Sequence, residues 1–367
     1  MSIARRNLLQ DKTRLGLSVL GVALAVMLIL VLSGFLDGVY KQAASYLNNT
    51  PGSVVVVQDG VSNFYATTSL LPPGTLEAAR KMEGVAGIIP VTSQIVIFEM
   101  HGRKQAAQVV GYDPALGGGP WSLAQGHGIQ GDSELVVDRV MAEAHGIKLG
   151  DRLTLLGREF TVVGSSRETA MWAASVLFVR KSALESLLKA PGSTSMLLVN
   201  PSGGIAPEAL RDRLRSDLPG TNVLLKSEVI ANDKQLFARI YNGPLLLMVA
   251  IAFLVGALVV GLVIYTATVE RQREYGALKA IGAANSVLYK VITTQALVAS
   301  ITGSVAGVAL AFAVGQLIMA LRPQFLVAIE TRAVAWALVA GLVMALLGAL
   351  FPARTVARLA PADVFRR

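Results

Sequence analysis

The residues best placed to do chemistry in this 367-residue chain lie between two long apolar runs, in the segment Glu270-Arg-Gln-Arg-Glu-Tyr-Gly-Ala-Leu-Lys-Ala-Ile-Gly-Ala283. Glu270, Arg271, Arg273, Glu274 and Lys279 put both signs of charge on a short stretch. That pattern suits salt bridges with a soluble partner, although on the residues alone a charged interfacial turn at a membrane surface is the favoured reading. Gly276 and Gly282 would permit a close approach or end a helix there.

Other chemistry is missing from the sequence. No Gly-Lys pair occurs, so a phosphate-cradling Gly-x-x-x-x-Gly-Lys-Ser/Thr loop is excluded; neither His-Glu-x-x-His nor Gly-x-Ser-x-Gly is present. With no cysteine there is no thiolate metal site and no catalytic thiol. His101, His127 and His145 form no close ligand pair, and Gly117-Gly-Gly119 lacks the strand-to-helix setting of a dinucleotide loop, so it reads as a flexible turn. A membrane-anchored hydrolase would need a triad or metal cluster that these residues do not offer, and the chain is not expected to be an enzyme or to bind a metal.

The elements that position the charged segment follow from the gaps between charges. A composition of 53% hydrophobic and 16% charged residues is too apolar for an ordinary soluble protein. Four runs carry no ionisable side chain: 22 residues from Leu15 to Leu36, 30 between Arg239 and Glu270, 31 between Lys290 and Arg322, and 21 between Arg332 and Arg354. About 20 residues of helix cross the ~30 Å hydrocarbon core, so each run can span it. The first follows Arg5, Arg6, Lys12 and Arg14 but exceeds the ~7 to 15 apolar residues of a signal peptide, and it reads as an anchor. The spans lack central charges, which disfavours an ion-coupled transporter.

Orientation follows from the basic residues. Segments 1–14, 270–290 and 354–367 together hold 12 basic and four acidic residues, whereas Asp37 to Arg239 holds 19 of each. By the positive-inside rule both termini and the middle loop are cytoplasmic, and the expected location is the cell's inner, cytoplasmic membrane. Basic residues that flank spans do not form a nucleic-acid patch, so no nucleic-acid partner is expected.

The expected architecture is an α-helical membrane protein with four transmembrane helices and an α+β extracytoplasmic domain inserted between spans one and two. Residues 1–14 form a helix in the headgroup plane, 15–36 the first span, and 37–240 the external domain. Span two covers 243–269, the cytoplasmic loop 270–290, and span three 291–321. A short external loop covers 322–332, span four 333–353, and a cytoplasmic tail 354–367. Strand-like runs recur in the external domain at 53–58, 94–98, 108–112, 134–137, 152–156, 159–163, 175–179, 196–199 and 222–225. Helical patterns lie at 73–82, 139–145, 182–188 and 207–217. Gly157 marks a hairpin turn. A stalk helix over 227–241 runs almost directly into span two, with Asn242-Gly243-Pro244 marking a break or kink. On span three, Gly303, Gly307, Ala311 and Gly315 share one face, a spacing that lets two helices approach within one chain or between two.

Three segments carry a family resemblance. The start, Ala4-Arg-Arg-Asn-Leu-Leu-Gln-Asp-Lys-Thr-Arg14 followed by Leu17-Ser-Val-Leu-Gly21, is similar to the opening of FtsX-like, macrolide-exporter-type permeases of ABC transporters. The 270–283 segment resembles that family's Glu-Arg-x-Arg-Glu-x-Gly-x-Leu-(Lys/Arg)-Ala-(Leu/Ile)-Gly-Ala pattern. Pro352-Ala-Arg-Thr-Val-Ala-Arg-Leu-Ala-Pro-Ala-Asp363 is similar to its closing segment. The resemblance implies a permease subunit of an ATP-driven exporter. Two copies of a separate ATPase would hold ATP and Mg, and this chain no cofactor. A second permease subunit, in a homodimer, and membrane lipid would be its other partners, with a periplasmic adaptor a further candidate. Glu270, Arg271, Arg273, Glu274, Gly276, Lys279 and Gly282 would then couple to the ATPase. A hydrophobic or amphipathic cargo (lipid, glycolipid, haem or drug-like) entering sideways would meet Met27, Leu30 and Leu36, then Tyr40 and Tyr46. The alternative is mechanotransmission, in which the external domain regulates a cell-wall enzyme without moving cargo.

Overall fold

The computed structural model describes residues 12–65, 67–100, 103–170, 175–270 and 272–357. Most of the expected 1–14 helix, Arg271, His101 and the tail after residue 357 lie outside them. The chain divides into two compact units, Val39–Ile240 and the remainder, Met1–Gly38 with Tyr241–Arg367.

Four helices of the second unit are long and apolar enough to cross a membrane. They belong to α1 (Lys12–Asn49), α6 (Lys226–Glu270), α8 (Asn285–Leu321) and α9 (Thr331–Ala357). Val22, Val26, Leu30, Val260, Ile292, Ala296 and Met344 are buried among them. Outward-facing Leu246, Leu254, Leu258 and Leu262 are more than half exposed, as lipid-facing side chains are. The loop after α8 packs on α1: Ala328 N–H donates to the Gly34 carbonyl at 2.8 Å, and the Phe35 and Phe325 rings lie 5.7 Å apart.

A break or kink was expected at Asn242-Gly243-Pro244, and the helix is not broken there. α6 runs for 45 residues with Pro244 inside it, roughly 68 Å of helix. Proline removes one backbone donor, and here its side chain is exposed, so the ladder continues past it. α1 likewise continues beyond Asp37 to Asn49.

The unit Val39–Ile240 is built on ten strands: β1 (Val54–Gln58), β2 (Val85–Met100), β3 (Arg103–Tyr112), β4 (Leu123–Gly126), β5 (Glu134–Asp138), β6 (Arg152–Leu155), β7 (Arg158–Ser166), β8 (Ser175–Arg180), β9 (Met196–Pro201) and β10 (Thr221–Leu225). Their order is β10-β1-β9-β2-β3-β8-β5-β7-β4, with β6 beside β7. The β3–β8 and β5–β7 pairs are parallel and the others antiparallel. The 16-residue β2 serves both halves, pairing β9 through Val91 and β3 from Thr92. Helices α2 (Thr75–Arg80) and α5 (Pro207–Asp217) cover one half, where Val54, Val56, Leu210 and Leu214 are fully buried. Helices α3 (Arg139–His145) and α4 (Lys181–Leu187) cover the other, around Leu135, Phe160, Leu177 and Leu184. Each such leucine contributes about 1.5–3 kcal/mol of burial. Alternate strand residues, Val55, Val57, Val110 and Phe178, face a third cluster closed by Tyr46 and Leu47 of α1 and Val229 of α6. Strands buried on both faces read as continuous apolar runs, as these do.

Candidate functional site

The small residues of α8 face inward, and the structure resolves which contacts they serve within this chain. A Cβ on Gly303 would stand 2.7 Å from Val22 Cβ, and one on Gly307 would stand 2.6 Å from the Ala23 carbonyl oxygen, so α8 and α1 meet backbone to backbone. Ala311 is fully buried, and Gly315 faces Val327 of the following loop. Three further glycines make comparable approaches. Gly341 of α9 lies against Ser304, a Cβ on Gly348 would lie 2.9 Å from Gly261 N, and one on Gly256 would lie 2.6 Å from Ala25 Cβ. Gly341 belongs to a run of its own at the α8 spacing, Ala337, Gly341, Ala345, Ala349 and Ala353, and Gly256 follows Ala252 by four residues, whereas Gly348 has no small residue four away and only the partner helix reveals its approach.

An apolar groove of about 530 Å³ lies between α1 and α6. On α1 it is lined by Leu20, Leu24, Leu28 and Leu32, repeating every four residues; on α6 by Met248, Ile251 and Val255 among others. The positions expected along a cargo route lie elsewhere. Met27 packs partly buried against the helix core, and Leu36 and Tyr40 are half-buried. Leu30 is fully buried, because its side chain points to the face of α1 opposite Leu28 and Leu32. Tyr46 is buried in the core of the other unit, its hydroxyl donating to the Gly118 carbonyl at 2.8 Å and its ring stacking on Phe64 at 4.9 Å. Gly117 and Gly118, at φ of 98° and 86°, shape the ordered turn that receives this bond. The i, i+4 leucine stripe was visible in the sequence, but a span apolar all round does not show which face is open.

The charged segment forms its own short helix, α7 (Gln272–Ala280), after α6 ends at Glu270. Glu270, Arg273 and Glu274 are exposed, Lys279 is half-buried, and Tyr275 and Gly276 are buried. Tyr275 belongs to the apolar cluster of the membrane helices, which holds one face of α7. Gly282 ends the turn at φ 94°, with its N–H donating to the Lys279 carbonyl at 3.0 Å. The bend leaves Ile281, a large apolar side chain just past the end of α7, 82% exposed.

Elsewhere, no group of three or more His, Asp or Glu able to hold a metal occurs among the described residues. His127 is exposed with Nδ1 2.8 Å from the Gly128 carbonyl oxygen, and His145 closes α3.

The chain thus has one candidate span, a large α+β insertion and three further candidate spans, with a charged turn between the second and third. Two family models match: the MacB-like periplasmic core domain over residues 15–217 and the FtsX-like permease C-terminal domain over residues 246–361. The chain belongs to this family of ABC transporter permeases. It is 24% identical over 365 residues, 99% of its own length and 98% of the relative's, to an uncharacterized ABC transporter permease of Mycobacterium tuberculosis. A permease of Staphylococcus haemolyticus named for hemin transport, HrtB, is 23% identical, covering 88% of this chain and 87% of that one. The periplasmic region of MacB from Actinobacillus actinomycetemcomitans is similar over 51% of this chain and 94% of its own, with a TM-score of 0.38 and 14% identity.

Proposed function

We propose that this chain is the membrane subunit of an ATP-driven exporter, paired as a homodimer with two copies of a separate ATPase that holds ATP and Mg. The observation that carries the reading is α7 itself, held on one face by Tyr275, with Arg273 and Glu274 exposed along it and Ile281 exposed just past its end. Closure of the ATPase pair would push on α7 and tilt α6, whose unbroken length would carry the movement to the external domain. Both termini and α7 are then cytoplasmic, and Val39–Ile240 is extracytoplasmic. The α1/α6 groove, lined wholly by apolar side chains and glycine, suits a hydrophobic or amphipathic cargo entering from the bilayer. The hemin-transport relative makes haem a cargo to assay first.

The test is co-purification with the cognate ATPase from membranes. Glu274→Lys and Ile281→Asp are expected to reduce the recovered ATPase about tenfold or more, as loss of a hot-spot contact does, while the permease still inserts. Unchanged recovery with both variants overturns the docking assignment. The continuous α6 also favours a second reading, mechanical signalling to an external wall enzyme without cargo. ATP turnover of the reconstituted complex that rises with an apolar cargo supports export; turnover indifferent to lipid, drug and haem, with an external protein recovered by crosslinking, supports signalling.

A further inference from the structure

Asp233 is a buried carboxylate that the transport reading does not use. It lies on the first turns of α6, inside the compact unit Val39–Ile240, with no exposed surface. Its Oδ1 accepts two backbone N–H bonds from one loop, Phe64 at 3.0 Å and Tyr65 at 3.3 Å. Its Oδ2 is buried with no hydrogen-bond partner among the described residues. Asn232, the preceding residue, donates its side-chain amide to the Ser62 carbonyl at 2.8 Å, so two consecutive residues of α6 grip the same loop.

Aromatic rings complete the grip. Tyr46 from α1 stacks on Phe64, Phe64 meets Tyr65 edge-on at 4.7 Å, and Tyr65 meets Phe237 of α6 at 6.1 Å. The loop therefore bridges α1 and α6, the two helices that each continue into a membrane span. It also walls a cavity of about 70 Å³ with Ser69, Ser93, Gln108 and Ser195.

The groups facing Asp233 make its proton decisive. From the loop comes the Tyr65 phenol, which burial, Asp233 and Tyr46 all hold neutral; from α1 comes the Tyr46 phenol, also held neutral by burial. The strands beneath contribute apolar side chains of the third cluster, Val55, Val57 and Leu224. On α6 itself, Lys226 is engaged with the Thr50 carbonyl, Glu228 with Arg211, and Lys234 and Arg239 are exposed. The Asp59 carboxylate, at the start of the loop, takes the Gly60 N–H. No ion pair to Asp233 occurs among the described residues.

We propose that Asp233 is a proton-binding site that clasps the 62–65 loop to the root of α6, tight when the carboxyl is neutral and looser once it ionises. Burial without a cation raises its pKa from 3.8 to about 7, against the lowering effect of the two N–H bonds. The sign follows from proton linkage. Where the closed form holds a proton that the open form releases, between the two pKa values, closure weakens as pH rises, by up to about tenfold per unit. Above the folded value it levels off. The clasp is thus tightest in acid and weakest above neutral, opposite to a carboxylate stabilised by an ion pair.

The experiment is hydrogen exchange of the full-length protein in lipid nanodiscs at about pH 5 and about pH 8, corrected for the intrinsic rate. Protection of the peptide carrying the Phe64 and Tyr65 amides is expected to fall about tenfold or more in the wild type. Asp233→Asn keeps the acceptor, stays neutral, and is expected to change less than about twofold. Phe237→Leu removes a ring but keeps the carboxylate, and should lower protection at both values while retaining the pH dependence. Equal wild-type protection at the two pH values overturns the proposal, and so does an Asn variant that falls as the wild type does. The wild-type comparison decides even if a variant does not fold.

Discussion

Gly307→Ala should separate α8 from α1, and its cost can be worked from the contact. The added Cβ would sit 2.6 Å from the Ala23 carbonyl oxygen and 2.9 Å from Val26 Cβ, where ordinary contacts begin near about 3.4 Å. Part of the obstacle is backbone, so no rotamer change relieves it, and the helices must move apart by roughly 0.5–1 Å. Overpacking of this kind costs about 1–3 kcal/mol, a factor of roughly 5–150 in the folded population. Gly243→Ala on α6 is the matched control: a Cβ there meets nothing within 4 Å, and the exchange should be neutral or stabilising by about 0.5–1 kcal/mol. The assay is equilibrium unfolding by SDS in dodecyl maltoside micelles, followed by far-UV circular dichroism. Gly307→Ala unfolding at or beyond the wild-type midpoint, or the two variants shifting alike, would refute the reasoning.

The chain has no native cysteine, which makes a further packing test clean. A Cβ on Gly315 would lie 3.7 Å from Val327 Cβ, close to disulfide geometry, so the Gly315→Cys, Val327→Cys pair should crosslink within one chain; a covalent dimer on a non-reducing gel would contradict this. Leu156 and Gly157 both have positive φ, 49° and 84°, in the β6–β7 turn, and Leu156→Asn should relieve about 1 kcal/mol of strain; a lowered thermal midpoint would contradict it. Replacing Leu28 by Trp should fill part of the α1/α6 groove and reduce cargo-stimulated ATP turnover several-fold without changing basal turnover. Equal loss of both would place Leu28 outside a cargo route.

Much of the external unit was legible because its local signals agree. Asp138 precedes the apolar face of α3 and does cap it, accepting from Val140 N–H at 2.8 Å, and Pro207 opens α5 where proline fits. The hairpin at Gly157 followed from two alternating strands around a glycine, and Leu155 pairs with Arg158 across it. The first half of β2 was missed because Gly87 and Pro90 interrupt it, yet Pro90 stands opposite Leu197 in the ladder. Strand β4 was missed because its four residues, largely exposed, show no alternation. In α6, Pro244 looks like a terminator in one dimension, but surrounding helix tolerates one absent donor. The membrane unit hid its faces for a different reason. A run without charges locates a span but says nothing of rotation, so Leu30 and Leu28 were equivalent until the neighbouring helices were known. The charged turn was visible as residues; the exposure of Ile281 required the bend at Gly282.

The central claim is a chain threaded through the bilayer with α7 inside and the sheet unit outside. Single cysteines at Glu77, exposed on α2, and at Ile281 test it by labelling with a small membrane-impermeant maleimide in intact cells. The account predicts that Glu77→Cys is labelled directly and Ile281→Cys only after the membrane is permeabilised. Labelling of Ile281→Cys in intact cells, with Glu77→Cys protected, would contradict it.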